Sequence, residues 1–213
     1  MGYIKKTDEK KPWAIRTANV KRTTRNLEVR NIFTIYCEGV NTEPEYFKCF
    51  PVNTETKVEA IGLGRSKSAM VENVIERLNG KQQLIDQKDF DPDRQIWCVF
   101  DFDRKGEQGE SEDFDNAVRL AKENGIKVAY SNDSFELWFI LHYQYLDAAL
   151  TRKEFYDILS KHLGWNYEKE GKKSEVSKSF FGILYDKMET AIDNAEKLAV
   201  THKGTSKNWF FYS

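Results

Sequence analysis

From residue 31 onward the apolar positions switch between a period of two and a period of about 3.6, and these switches mark out the elements. Asn31 to Cys37 (NIFTIYC) is a run of β-branched and aromatic residues stopping at Glu38-Gly39, which predicts a buried strand ending in a turn. Thr42 precedes Glu43, Pro44 and Glu45, so an N-cap, an early proline and first-turn acids announce a helix carrying Tyr46, Phe47 and Phe50 inward. Lys57 to Ile61 (KVEAI) alternates as a second strand. It runs into the flexible, basic, hydroxyl-rich segment Gly62 to Ser68. A helix is expected from near Ser68, with Met70, Val71, Val74, Ile75 and Leu78 at helical spacing and a stop at Asn79-Gly80.

Gln95 to Phe100 (QIWCVF) is almost wholly apolar, as in a strand covered on both faces, and leads directly into Asp101-Phe102-Asp103. Phe114, Ala117, Val118 and Ala121 mark another helix, stopped by Asn124-Gly125, and Ile126 to Tyr130 (IKVAY) is a fourth strand. Ser131-Asn132-Asp133-Ser134 then reads as the cap of an apolar helix from Phe135 to His142. Strands alternating with helices imply an α/β fold with a mostly parallel sheet and right-handed crossovers. From about Thr151 the spacing is helical to the end, interrupted by a charged loop over Glu168 to Lys178 (EKEGKKSEVSK). The expected organisation is an arm over 1–30, an α/β core over 31–150, and a helical C-terminal extension over 151–213 packed on that core.

Composition narrows the class without deciding the function. With 40% hydrophobic and 31% charged residues, the chain is that of a globular protein, neither disordered nor fibrous. No stretch approaches the roughly 18 apolar residues of a membrane span, and the basic N-terminus lacks an apolar segment behind it, so a cytoplasmic protein without membrane contact is expected. Cys37, Cys49 and Cys98 lack the paired close spacing of a zinc site and read as buried free thiols. The net charge is −1, yet the first thirty residues are distinctly basic, which suits either phosphate tracking or a solvated tail. The oligomeric state stays open, a homo-oligomer included.

In an open parallel sheet ligands bind at the carboxyl ends of the strands, and the conspicuous acids fall there. Glu38 follows the first strand. Asp101 and Asp103 follow the third, spaced i and i+2, so that an extended backbone lets both carboxylates face the same way. Three hard oxygen donors at one sheet edge suit Mg²⁺ or Mn²⁺, and such an ion suits phosphodiester chemistry. Glu136, in the apolar helix after the fourth strand, is either a further metal ligand or a helix-start acid. Arg65, Ser66 and Lys67, before a helix N-terminus, and Arg104, beside Asp103, are candidate phosphate or nucleic-acid contacts. Trp165, Tyr167, Phe180 and Phe181 offer base stacking or plain helical packing, of which packing is the commoner use. His142 reads as a buried structural histidine.

Three blocks of the chain carry a resemblance. Cys37-Glu38-Gly39-Val40-Asn41-Thr42-Glu43-Pro44-Glu45-Tyr46-Phe47 resembles the CEGxxTExxYF opening of RloB-like proteins, and Trp97 to Asp103 is similar to their VFDxD segment. Tyr130 through His142 is similar to their SNPxFELWLLLHF block, with Asp133 where the family commonly has proline. The resemblance covers roughly residues 31–145. It implies a TOPRIM-like catalytic core in which Glu38, Asp101 and Asp103 take the metal-binding and catalytic places, Glu38 also being a candidate general acid or base. It further implies a metal-dependent nuclease, cutting RNA, tRNA or DNA in a prokaryotic antiviral defence system, with an ABC or AAA-type ATPase as partner. The chain carries no Walker A motif of its own. The competing expectation is a non-catalytic, metal-stabilised nucleic-acid-binding effector module.

Overall fold

The computed structural model describes residues 31–52, 56–84, 94–102, 110–171 and 173–201. The basic arm, Asp103, Arg104 and the segment from residue 202 onward therefore lie outside the described residues.

Four strands, β1 (Asn31–Cys37), β2 (Thr56–Gly62), β3 (Arg94–Phe102) and β4 (Lys127–Asn132), form one sheet in the order β2-β1-β3-β4. All three pairings are parallel, as the alternation with helices requires. The connecting helices are α1 (Thr42–Lys48), α2 (Lys67–Leu84) and α3 (Glu110–Glu123). After β4 comes the short α4 (Glu136–Leu141). A helical extension follows: α5 (Arg152–Leu163), α6 (Tyr167–Glu170), α7 (Ser174–Leu184) and, after a 3-10 turn over Tyr185–Lys187, α8 (Met188–Thr201).

Strand periodicity divides the side chains between two cores. Tyr36, Cys98, Phe100, Val128 and Tyr130 point to one face, packed with Met70, Val71 and Val74 of α2 and Ala117 and Ala121 of α3. Cys37, Val99 and Ala129 point to the other, beneath α1, α4 and the extension. That second core joins Tyr46 and Phe139 to Phe155, Leu159, Tyr167, Phe180, Leu184 and Leu198. Tyr46 is its centre: the ring meets Phe47, Phe50, Phe135 and Phe139 edge-on, and its hydroxyl accepts the Trp138 indole N–H at 2.8 Å. Asn194 of α8 donates to the Leu141 carbonyl at 2.8 Å, tying the last helix to α4. Trp165, Tyr167, Phe180 and Phe181 all pack here, and Tyr167 and Phe180 are fully buried.

Several expected boundaries move, each for a physical reason. The helix expected to stop at Asn79-Gly80 continues to Leu84, because glycine inside a helix costs only about 1 kcal/mol and cannot end it alone. Most of the segment read as a charged loop over 168–178 is helical: the Asn166 side chain caps α6 by accepting from the Lys169 amide, and α7 begins at Ser174. Its charges are the solvated faces of short helices. β4 runs on to Asn132, so Ser131 and Asn132 belong to the sheet rather than to a helix cap. Ser134 offers α4 its backbone carbonyl, which accepts from the Leu137 amide, while its buried Oγ has no partner among the described residues.

Candidate functional site

The parallel register brings the ends of β1 and β3 level. Cys37 pairs with Val99, the Glu38 amide continues the ladder by donating to the Val99 carbonyl at 2.9 Å, and the Glu38 carboxylate accepts the Asp101 amide at 3.1 Å. Asp101 lies inside β3, opposite Ser131 of β4. By strand parity it shares the face of Trp97 and Val99, the face covered by the extension. On the other side Leu63 and Gly64 donate to the carbonyls of Cys37 and Glu38, so the loop after β1 is held from both neighbouring strands.

A cleft of about 300 Å³ opens at this edge, lined by Glu38, Gly39, Glu43, Asp101, Glu136, Arg152 and Tyr156 among others. Glu38 and Asp101 thus meet at one site, as the sequence suggested, and Glu136 joins them from the first turn of α4. Asp103 and Arg104 are outside the described residues. Arg65 and Ser66 are exposed and Lys67 is buried, and none of the three lines the cleft. The start of α2 already holds a carboxylate, since Asp113 accepts from the Ser68 amide at 3.3 Å and its carbonyl accepts from the Ser68 hydroxyl at 2.9 Å.

Glu43, Arg152 and Tyr156 also line the cleft, and none of them is among the site candidates the sequence marks. Glu43 is a first-turn acid of α1, as the sequence predicts; it is also buried, and its carboxylate accepts from the amides of Gly39 and of Glu43 itself. A Cβ on Gly39 would collide with that carboxylate. The signal was present as the second acid of the first resembling block. Arg152 opens α5, with Nη2 donating to the Asp133 carbonyl at 2.9 Å and standing 3.9 Å from Asp101 Oδ2. Tyr156 comes one turn later on the same helix. No local pattern announces either residue, because their helix reaches the cleft only through tertiary packing.

The electrostatics are those of crowded carboxylates. Asp101 is held well above the usual carboxylate range, first by burial and then by the negative charges of Glu43, Glu136 and Glu38, with Arg152 opposing. Burial likewise raises Glu43, assisted by Glu136 and Glu38 and opposed by its backbone hydrogen bonds. Tyr167 donates to Glu136 at 3.3 Å, and its own phenol is driven far up by burial and by that acid. The donor set is all hard oxygen with excess negative charge, which in kind fits a divalent cation. Among the described residues, however, no three acidic, histidine or cysteine side chains form a ready-made metal cluster as they stand.

The other titratable groups are structural. Cys37 and Cys98 are buried free thiols and Cys49 is half-buried. His142 is buried, with Nδ1 at 2.8 Å from the Trp138 carbonyl, and burial lowers it to about 4. No helix among the described residues is long and apolar enough to cross a membrane.

No curated protein and no solved structure matches the chain. Residues 33–210 match the model of the family described as RloB-like protein, which takes in both the cleft and the helical extension, and the chain belongs to that family.

Proposed function

We propose that the cleft is the catalytic centre of a metal-dependent nuclease with a TOPRIM-like core. One observation carries this reading: Glu38, Glu43, Asp101 and Glu136 surround one cleft at the carboxyl edge of a parallel sheet, with Arg152 beside them. Among the described residues, four acids against one cation would repel a phosphodiester, so the cleft as described needs cations before it can accept nucleic acid. Glu38, Asp101 and Glu136, with Asp103 following in sequence, are the residues that would hold Mg²⁺ or Mn²⁺. Such an ion supplies polarisation of a phosphoryl oxygen and a more acidic water. Glu43, raised by burial and by its acidic neighbours, suits a proton held on its carboxyl oxygen and passed to the leaving oxygen. Tyr167 keeps Glu136 oriented through the 3.3 Å hydrogen bond.

A role in prokaryotic antiviral defence, beside an ABC or AAA-type ATPase, rests on the family resemblance and extends the proposal; a cytoplasmic location rests on the hydropathy of the sequence. Purified protein, alone and with the product of its neighbouring gene, is to be incubated with RNA, tRNA and DNA in Mn²⁺ or Mg²⁺. Cleavage lost in both Glu38→Gln and Asp101→Asn supports the reading. Substrates left intact, together with a melting temperature that Mn²⁺ does not raise, would refute it. Metal-dependent nucleic-acid binding without cleavage would favour the non-catalytic effector instead.

A further inference from the structure

We propose that Arg152 binds the scissile phosphate, so that the helical extension, and not the α/β core alone, completes the substrate site. This rests on the nucleic-acid reading of the cleft and deepens it. Among the described residues that line the cleft, Arg152 is the one cation. It stands at the first position of α5, where the helix dipole disfavours positive charge. Other forces fix that helix start: Thr151 and Glu154 form a reciprocal capping box, so no structural need at the cap calls for arginine there.

The guanidinium is anchored. Nη2 donates to the carbonyl of Asp133, a residue in the left-handed region with φ 72°, whose own amide donates to Phe102 at the end of β3. The Asp101 carboxylate lies 3.9 Å away, at the limit of an ion pair, and the Arg152 side chain keeps 38% of its surface exposed. A residue serving only to neutralise Asp101 would gain by closing on it, whereas arginine presents five N–H donors in a fork matched to phosphate oxygens.

The test separates a phosphate contact from neutralisation of Asp101. A fluorescein-labelled single-stranded oligonucleotide is titrated by anisotropy in Ca²⁺ at several salt concentrations. The proteins are wild type, Asp101→Asn, Asp101→Asn/Arg152→Gln and Arg152→Lys, all checked for folding by circular dichroism. With Asp101 neutral, the carboxylate that Arg152 faces at 3.9 Å no longer needs a counter-charge, so removing Arg152 should still weaken binding and lower the slope of log affinity against log salt by about 0.7. In Mn²⁺, Arg152→Lys should keep the binding slope yet cleave on the order of a hundredfold more slowly, because an ammonium cannot reproduce the fork. An unchanged slope in the double variant, with wild type binding normally, overturns the role of Arg152 alone. Wild type that neither binds nor cleaves overturns both readings together.

Discussion

Gly62→Ala tests how the sheet positions the acidic loop. Gly62 ends β2 opposite Cys37, and a Cβ there would lie 2.5 Å from the Gly39 carbonyl oxygen and 2.6 Å from Val40 Cα. Ordinary contacts between non-bonded carbons are about 3.5–4.0 Å, so one side must retreat by roughly 1 Å. Both obstacles are backbone, and neither can rotate away. Overpacking of this kind costs about 1–3 kcal/mol. The loop that yields begins at Glu38, whose carboxylate sits 3.1 Å from the Asp101 amide, so the strain is delivered to the site. A displacement near 1 Å at reacting groups costs about a hundredfold in rate. Urea unfolding followed by tryptophan fluorescence should show a lower midpoint at unchanged slope, and cleavage in Mn²⁺ should fall in parallel. Gly80→Ala is the control: a Cβ there meets nothing within 4 Å inside α2, and the variant should be more stable by about 1 kcal/mol. A Gly62→Ala protein with the wild-type midpoint and wild-type activity would refute the packing account.

Asp101→Asn should abolish cleavage and yet stabilise the fold at pH 7 by about 0.5–2 kcal/mol, read by urea unfolding. The sign follows from linkage: a carboxyl raised in the folded state is destabilising once pH exceeds its unfolded value, so the gain should disappear as pH falls back through the raised folded value. His142 works in the opposite sense. With about 4 folded against 6.5 unfolded, it contributes about 3 kcal/mol above pH 6.5 that is lost as pH falls toward 4. His142→Phe should flatten that part of the stability profile. Asp133→Pro should cost about 3 kcal/mol or more, because proline cannot adopt φ 72° or donate to Phe102, while Asp133→Gly should be tolerated; thermal melts of both decide.

The four strands, their parallel pairing and the two principal acids were legible because each is written locally. A β-branched run ending in Glu-Gly, or an apolar run ending in an acid, specifies a strand and its functional end without outside help. Asp133 shows the limit of the block resemblance, since a position commonly occupied by proline is here a left-handed aspartate, a conformation closed to proline. Glu43 is the first-turn acid that the sequence predicts, and its second place as a buried cleft acid is not legible because it depends on how the loop before the helix folds. Arg152 and Tyr156 were beyond local reading altogether. Their helix is fixed over the cleft by Phe155 and Leu159, buried in the core shared with β3 and α4, and that packing has no counterpart in the neighbouring sequence. Helix ends are less legible, since glycine or a run of charge can occupy the solvent face of a helix at modest cost, as Gly80 does in α2.

The way the acids are held explains why the cleft remains electrostatically frustrated. Each carboxylate has a partial partner: Glu38 the Asp101 amide, Glu43 the amides at residues 39 and 43, Glu136 the Tyr167 hydroxyl, and Asp101 the distant edge of Arg152. Amides and a phenol orient an acid without cancelling its charge, and Arg152, the one cation among the described residues lining the cleft, stands 3.9 Å from Asp101 and cannot neutralise four acids. Asp101 and Glu43 accordingly stay raised despite these contacts. A structural cluster would be expected to bring one counter-charge per buried acid, because unpaired buried charge is costly. Among the described residues its contacts orient the acids instead, and on the proposed function that charge is what would attract a divalent cation. Strand parity then decides the rest. Asp101 follows Trp97 and Val99 onto the face covered by the extension, so on the proposed function a phosphate drawn to such cations would lie on the side of α5.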